Sequence, residues 1–89
     1  MREIIWSDDA WEDYLYWQSQ DKKTLKRINA LIKDILRNGV SEGIGKPEAL
    51  TGDLVGEYSR RIDETNRLVY HEEGGRLFIA HCRTHYGDK

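Results

Sequence analysis

Apolar and polar positions follow helical spacing through the first half of the chain. Between residues 22 and 37, apolar side chains form one stripe, while basic side chains take most of the other positions. The stripe consists of Leu25, Ile28, Ile32, Ile35 and Leu36. We therefore predict a helix over 22–37, with Asp21 as its N-cap and Asn38-Gly39 as its stop signal.

A shorter helix is predicted over 8–18, directly before it. Ser7 suits the N-cap position, and Asp8 and Asp9 follow in the first turn, where the helix dipole favours negative charge. The side chains that continue at helical spacing are aromatic or apolar: Trp11, Tyr14 and Leu15, with Trp17 nearby. Because only a few residues separate the two segments, we expect an antiparallel helix hairpin.

Strand character marks both ends of the chain. The predicted strands cover 1–6, 58–63, 67–72 and 76–84, and Glu73-Gly74-Gly75 is a good hairpin signal between the last two. The final run is apolar on both faces in its first half, which predicts an inner strand. Residues 38–57 carry five glycines and the only proline, so we predict a long loop without regular structure there.

Together these elements predict an α+β fold in a single domain over 1–89. A short N-terminal strand precedes the helix hairpin, and an antiparallel three-strand meander follows it. The strands form one sheet, with the helices packed on one face.

Composition excludes several classes of protein. No apolar run approaches the ~20 residues of a membrane span, and the first twenty residues lack a signal-peptide pattern. A single cysteine, Cys82, excludes an internal disulfide and a cysteine-based zinc site, so a reducing, cytoplasmic location is expected. The net charge of −2 argues against a general nucleic-acid coat, although residues 21–40 hold six basic and two acidic side chains.

The residues available for chemistry are arginine, histidine and glutamate. Strand alternation places Leu68 and Tyr70 on one face and Arg67, Val69 and His71 on the other. In the last strand, His81, Arg83 and His85 share a face. Arg60 and Arg61 point to opposite faces, so only one of them can join Arg67. A sheet face that carries two or three arginines and a histidine, near a loop that contains Glu48, has the side chains that phosphate chemistry needs.

Each of these residues also has a purely structural interpretation. Solvent-exposed surface is the simplest role for the strand arginines Arg60, Arg76 and Arg83, and for His71 near a turn. His81 suits a partly buried position. The aromatic residues of 11–17 are better explained as core than as an RNA-stacking platform. The lysines of 22–33 form a solvated face whose contact with RNA stays open.

Six segments of the sequence, taken in order, resemble one known family. They are Trp11-Glu12-Asp13-Tyr14-Leu15-Tyr16-Trp17, Lys26-Arg27-Ile28-Asn29, Gly43-Ile44-Gly45-Lys46-Pro47-Glu48, Tyr58-Ser59-Arg60-Arg61-Ile62, Asn66-Arg67-Leu68-Val69-Tyr70 and Arg83-Thr84-His85-Tyr86. Over residues 2–86 they resemble the YoeB (Txe) toxins of bacterial toxin–antitoxin modules, within the RelE superfamily.

The resemblance implies a microbial-ribonuclease-like, RelE-type fold and an mRNA interferase, a ribosome-dependent endoribonuclease that inhibits translation. The site residues it implies are Glu48 as general base, Arg67 and Arg61 on the scissile phosphate, His85 as general acid, and Lys46 and Tyr86 as RNA contacts. It implies no metal and no cofactor. The implied partners are the ribosome with its mRNA and a YefM/Phd-type antitoxin, with operator DNA bound only through the antitoxin complex and a homodimer left open.

The sequence departs from the family pattern in three places. Thr51 replaces a lysine that many relatives carry, Thr65-Asn66 replaces a common Glu-His pair, and Gly87-Asp88-Lys89 extends past the usual terminus. Two alternatives stay open: a gyrase-type toxin without nuclease chemistry, and a non-catalytic module that binds antitoxin and operator DNA. The joint presence of Glu48, Arg67 and His85 favours the nuclease.

Overall fold

The computed structural model describes residues 3–83. Its strands are β1 (Ile4–Trp6), β2 (Glu48–Ala49), β3 (Tyr58–Arg61), β4 (Arg67–Glu73) and β5 (Arg76–His81). Its helices are α1 (Asp8–Gln20) and α2 (Lys22–Asn38), with a short 3₁₀ helix at Gly52–Leu54. The predicted α+β fold and helix hairpin are confirmed.

The five strands form one mixed sheet in the order β1-β5-β4-β3-β2. β1 pairs with β5 in parallel, and the remaining neighbours are antiparallel. The meander and the inner position of β5 are as predicted. The described part of the last strand ends at His81, however, so the predicted extension through Cys82 and Arg83 is wrong.

The prediction of a structureless loop over 38–57 is also wrong. Within it, Glu48 and Ala49 form β2 and pair with Ser59 and Tyr58 of β3. A strand of two residues is too short for the alternation of apolar and polar positions by which strands are recognised in a sequence. The consequence is functional, because this pairing places Glu48 on the sheet.

Side-chain caps define where the two helices begin. Ser7 Oγ accepts a hydrogen bond from the Ala10 amide at 2.9 Å, and Asp21 Oδ1 accepts from the amides of Lys23 and Thr24 at 3.1 and 3.2 Å. The hydrogen bonds from Thr24 hold the pKa of Asp21 below its usual value. Both caps were predicted from the sequence.

Both helices pack on one face of the sheet. The buried residues of the core are Ala10, Trp17, Ile28, Leu31, Ile32, Ile35, Ile62, Leu68, Tyr70, Leu77, Ile79 and Cys82. The aromatic segment of α1 is only partly core, since Trp11 is 45% exposed and Tyr16 is 36% exposed. Within residues 3–83, no helix has the length and apolar character needed to cross a membrane.

Candidate active site

The face of the sheet opposite the helices, which we call the outer face, gathers three of the six predicted site residues, Glu48, Arg61 and Arg67. Glu48 lies opposite Ser59, and Arg61 lies opposite Arg67 in the register of β2, β3 and β4. Since Ser59 and Arg61 are two positions apart on β3, all four side chains belong to the same face.

Arg67 is the centre of this group. Its Nη1 donates a hydrogen bond to Ser59 Oγ at 3.1 Å and lies 3.7 Å from Glu48 Oε1. The Arg67 side chain is 15% exposed, whereas the Glu48 side chain is 51% exposed. A largely desolvated guanidinium therefore lies beside an accessible carboxylate, as binding a phosphate next to a proton acceptor requires.

Arg61 and Lys46 lie beside this pair. The Arg61 side chain is exposed, while its backbone is held on both sides: its amide donates to Gly45 O at 2.7 Å, and its carbonyl accepts from Arg27 Nη2 at 3.0 Å. Lys46 is exposed and has a φ of 52°, an unusual left-handed conformation for a lysine. Arg61 thus adds a cation at the end of β3, and Lys46 adds another in the loop two residues before Glu48.

Two predicted site residues, His85 and Tyr86, lie outside the described residues. The chain that leads to them is fixed at Cys82, where both backbone groups bond to side chains of α1. The Cys82 amide donates to Asp13 Oδ2 at 3.1 Å, and Trp17 Nε1 donates to the Cys82 carbonyl at 2.8 Å. Arg83 then places its guanidinium 3.6 Å above the centre of the Tyr16 ring.

Arg60 was predicted to be solvated surface, and this prediction is wrong. Its side chain is completely buried on the helix side of the sheet. The physical reason is strand alternation: the register that exposes Arg61 on the outer face turns its neighbour inward. A polar residue facing the core is tolerated because every N–H of its guanidinium has an acceptor.

His71 is also more constrained than a surface residue near a turn. Its Nδ1 lies 2.8 Å from Glu57 Oε2, and its ring stacks on Phe78 with 4.8 Å between centroids. Its side chain is 27% exposed. Sequence reasoning missed this pair because Glu57 precedes β3 and approaches His71 only through the β3–β4 pairing.

Metal ligands are not concentrated anywhere in residues 3–83. No three side chains of histidine, cysteine, aspartate or glutamate come together there in a way that could hold a metal ion. The absence of a metal requirement stays a prediction for the whole chain.

The comparisons with known proteins agree with this geometry. A sequence profile for the YoeB-like toxins of bacterial type II toxin–antitoxin systems matches residues 6–86. The chain belongs to the YoeB-like toxins. It is 54% identical over 83 residues to the toxin YoeB of Escherichia coli K12, a match that covers 93% of this chain and 98% of that toxin.

Solved structures of YoeB toxins have the same fold. The YoeB–YefM heterotetramer of Staphylococcus aureus contains a chain that superposes with a TM-score of 0.90 at 51% identity, covering 97% of this chain and 99% of that one. A YoeB dimer from the same organism gives a TM-score of 0.90 at 52% identity, with coverages of 96% and 98%. The fold of this chain is therefore the fold of those YoeB toxins.

Proposed function

We propose that this YoeB-like toxin is a ribosome-dependent mRNA endonuclease that inhibits translation by cutting the message. The observation that carries the proposal is the placement of Arg67 between Ser59 and Glu48 on the outer face, opposite Arg61. This arrangement supplies a cationic pocket for one phosphate and a carboxylate within reach of the neighbouring ribose.

The proposed reaction is an in-line transfer that uses the 2′-hydroxyl of the message as nucleophile. Glu48 removes the hydroxyl proton, and the oxygen attacks the adjacent phosphorus. Arg67 and Arg61 stabilise the negative charge that develops on the non-bridging oxygens. The 5′-oxygen leaves with a proton from His85, and Tyr86 and Lys46 contact the RNA. The products are a 2′,3′-cyclic phosphate and a 5′-hydroxyl.

Arginine suits this role better than lysine, because its planar guanidinium can bind two phosphate oxygens at once. The hydrogen bond to Ser59 fixes one nitrogen of Arg67 and thereby orients the group before substrate arrives. A preoriented cation stabilises the transition state without reorganising during the reaction. The reaction needs neither a metal nor a cofactor.

The decisive experiment measures cleavage of an mRNA on a preassembled ribosome complex in a single turnover. Glu48→Gln keeps the shape of the side chain but removes the base, so we expect the rate to fall about 10²–10⁴-fold. Glu64→Gln is the matched control, since Glu64 is an exposed residue of the β3–β4 turn, and it should cut at the wild-type rate.

A modified message tests the nucleophile independently of any protein variant. A message with one 2′-deoxynucleotide at the cleaved position should resist the wild-type toxin, since it lacks the attacking oxygen. Cleavage of that message, or no cleavage of RNA by the wild-type protein, would exclude the proposed reaction.

We further propose that the protein partner is a YefM/Phd-type antitoxin and that operator DNA is bound only through the toxin–antitoxin complex. The proposed site of action is the cytoplasm, where ribosomes are found. The YoeB–YefM heterotetramer and the YoeB dimer of S. aureus support both the antitoxin and self-association for this chain. The simplest inhibition is that the antitoxin covers the outer face and excludes the message from Arg67 and Glu48.

A further inference from the structure

The position of Glu48 is weakly determined by its own strand. β2 contains only Glu48 and Ala49, and it lies at the edge of the sheet. A strand of two residues contributes few ladder hydrogen bonds and is marginal on its own. The place of the carboxylate therefore also depends on the path of the preceding segment, residues 39–47.

That segment is fixed from inside the protein by the guanidinium of Arg60. Its Nη2 donates to the carbonyls of Gly39 and Glu42 at 2.8 and 2.6 Å, and its Nη1 donates to the carbonyl of Ile44 at 3.1 Å. The remaining N–H groups bond to Asp34 Oδ2 at 2.6 Å and to Tyr70 Oη at 2.8 Å. Three of the five bonds therefore go to the backbone of one loop.

Asp34 and Tyr70 extend the same network to the loop. Asp34 Oδ2 also accepts from the Ile44 amide at 3.0 Å, and Tyr70 Oη donates to the Val40 carbonyl at 2.5 Å. The next residue, Gly45, accepts from the Arg61 amide at 2.7 Å. The backbone is thus bonded at five positions between 39 and 45, three residues before Glu48.

We propose that Arg60, together with Asp34, is a positioning residue that sets where the carboxylate of Glu48 lies relative to Arg67. This inference rests on the proposed function, in which Glu48 is the general base. Arg60 lies on the helix side of the sheet and touches neither substrate nor the reacting atoms. It acts through the loop, which it fixes from 39 to 44.

Fold stability alone does not account for this arrangement. A buried ion pair is often no more stabilising than apolar side chains of the same volume, because both charges must leave water. Apolar side chains would have no donors for the loop carbonyls. What the guanidinium adds is a defined path for the backbone, and a misplacement of about 1 Å at a catalytic group can cost about 10²-fold in rate.

Two glycines allow this to be tested without altering Arg60. A Cβ at Gly43 would lie 1.7 Å from Asp34 Oδ2 and 2.9 Å from Arg60 Nη1, so Gly43→Ala must separate the loop from these side chains, whichever of the two moves, and break the network. A Cβ at Gly52, on the other side of β2, meets nothing within 4 Å. Both glycines have positive φ, 124° and 65°, so Gly52→Ala is a control for adding a methyl group at a positive-φ position beside β2.

We expect Gly43→Ala to lower the single-turnover cleavage rate at saturating toxin by about 10–100-fold, with ribosome affinity unchanged. Gly52→Ala should retain the wild-type rate. All proteins are assayed well below their melting temperatures, so that a loss of rate does not report unfolding. A folded Gly43→Ala protein that cuts like wild type would overturn the proposal.

Amide hydrogen exchange provides a readout that does not depend on nuclease activity. Gly43→Ala should accelerate exchange at the amides of Ile44 and Arg61 by at least about tenfold, while amides of β5 stay protected. If the wild-type toxin cuts no RNA, the proposed function fails, yet this measurement still tests the anchoring of the loop. Unchanged exchange at both amides would overturn the anchoring itself.

Asp34→Asn is a second variant that tests the same proposal if Gly43→Ala does not fold. It keeps one carbonyl oxygen but removes the charge that strengthens the bond from Arg60, so we expect a slower cleavage rate and faster exchange at Ile44. Asp53→Asn, a change of the same kind at an exposed residue, is its control and should have no effect. Wild-type rate and exchange in Asp34→Asn would overturn the proposal.

Discussion

Two adjacent arginines on β3 have opposite environments. Arg61 is exposed on the outer face, whereas Arg60 is buried on the helix side with all its donors satisfied. Alternation along the strand predicted that they face opposite ways, but not which face would be buried or that acceptors would surround Arg60. Three of its five hydrogen bonds go to loop carbonyls, which carry no side-chain signal in the sequence.

Cys82 shows how burial alone changes the chemistry of a residue. Its thiol is fully buried, and desolvation raises its pKa to about 12. The folded protein therefore holds the neutral thiol through mildly alkaline pH. In the unfolded chain the thiol ionises near the ordinary value of 9.0. Its contribution to stability is thus complete below pH 9 and is lost as the pH rises towards 12.

We predict that the native protein resists alkylation at Cys82. At pH 8, iodoacetamide should modify the folded protein at least about 10²-fold more slowly than the urea-unfolded protein, because only an exposed thiolate reacts. Mass spectrometry reads a single site, since the chain has one cysteine. Equal rates in the two states would show that Cys82 is accessible in the fold.

The long helices and strands were predictable from the sequence, and the short contacts between them were not. α2 was predicted to within one residue because its apolar stripe repeats over about three turns. The aromatic residues of α1 were assigned to the core as a group, yet only Trp17 is buried there, while Trp11 is nearly half exposed. Trp17 is buried and Trp11 is not, because the end of β5 approaches the side of α1 that carries Trp17.

The bond between α1 and the end of β5 gives a prediction about stability. Trp17→Phe keeps an aromatic ring but leaves the buried Cys82 carbonyl without its donor, so we expect a loss of about 1–3 kcal/mol in the free energy of unfolding. Urea denaturation measures it. Trp11→Phe is the control and should cost less than about 1 kcal/mol, since its ring is exposed. Equal effects of both changes would contradict a specific role for the bond.

Charge is distributed unevenly over the protein around a net value of −2. The first helix begins with acids, whereas α2 carries exposed lysines at Lys22, Lys23, Lys26 and Lys33. Net charge therefore understates the attraction of this face for a polyanion, because interactions with exposed charges are local at physiological salt. We propose that α2 is a second region, besides the cations of the outer face, through which the proposed nuclease contacts ribosomal RNA.

The two basic regions should contribute to different steps. Lys26 is exposed on α2 and lies outside the proposed site, so Lys26→Ala should weaken ribosome binding without slowing the cleavage of a saturated complex. The slope of log affinity against log salt concentration should fall by about 1, as expected for the loss of one phosphate contact. Arg76→Ala is the control. It removes an exposed cation at the β4–β5 turn that pairs with Glu3 at 2.9 Å, and it should leave the slope unchanged. A slower saturated rate in Lys26→Ala, or an equal change of slope in both variants, would show that α2 is not a separate binding surface.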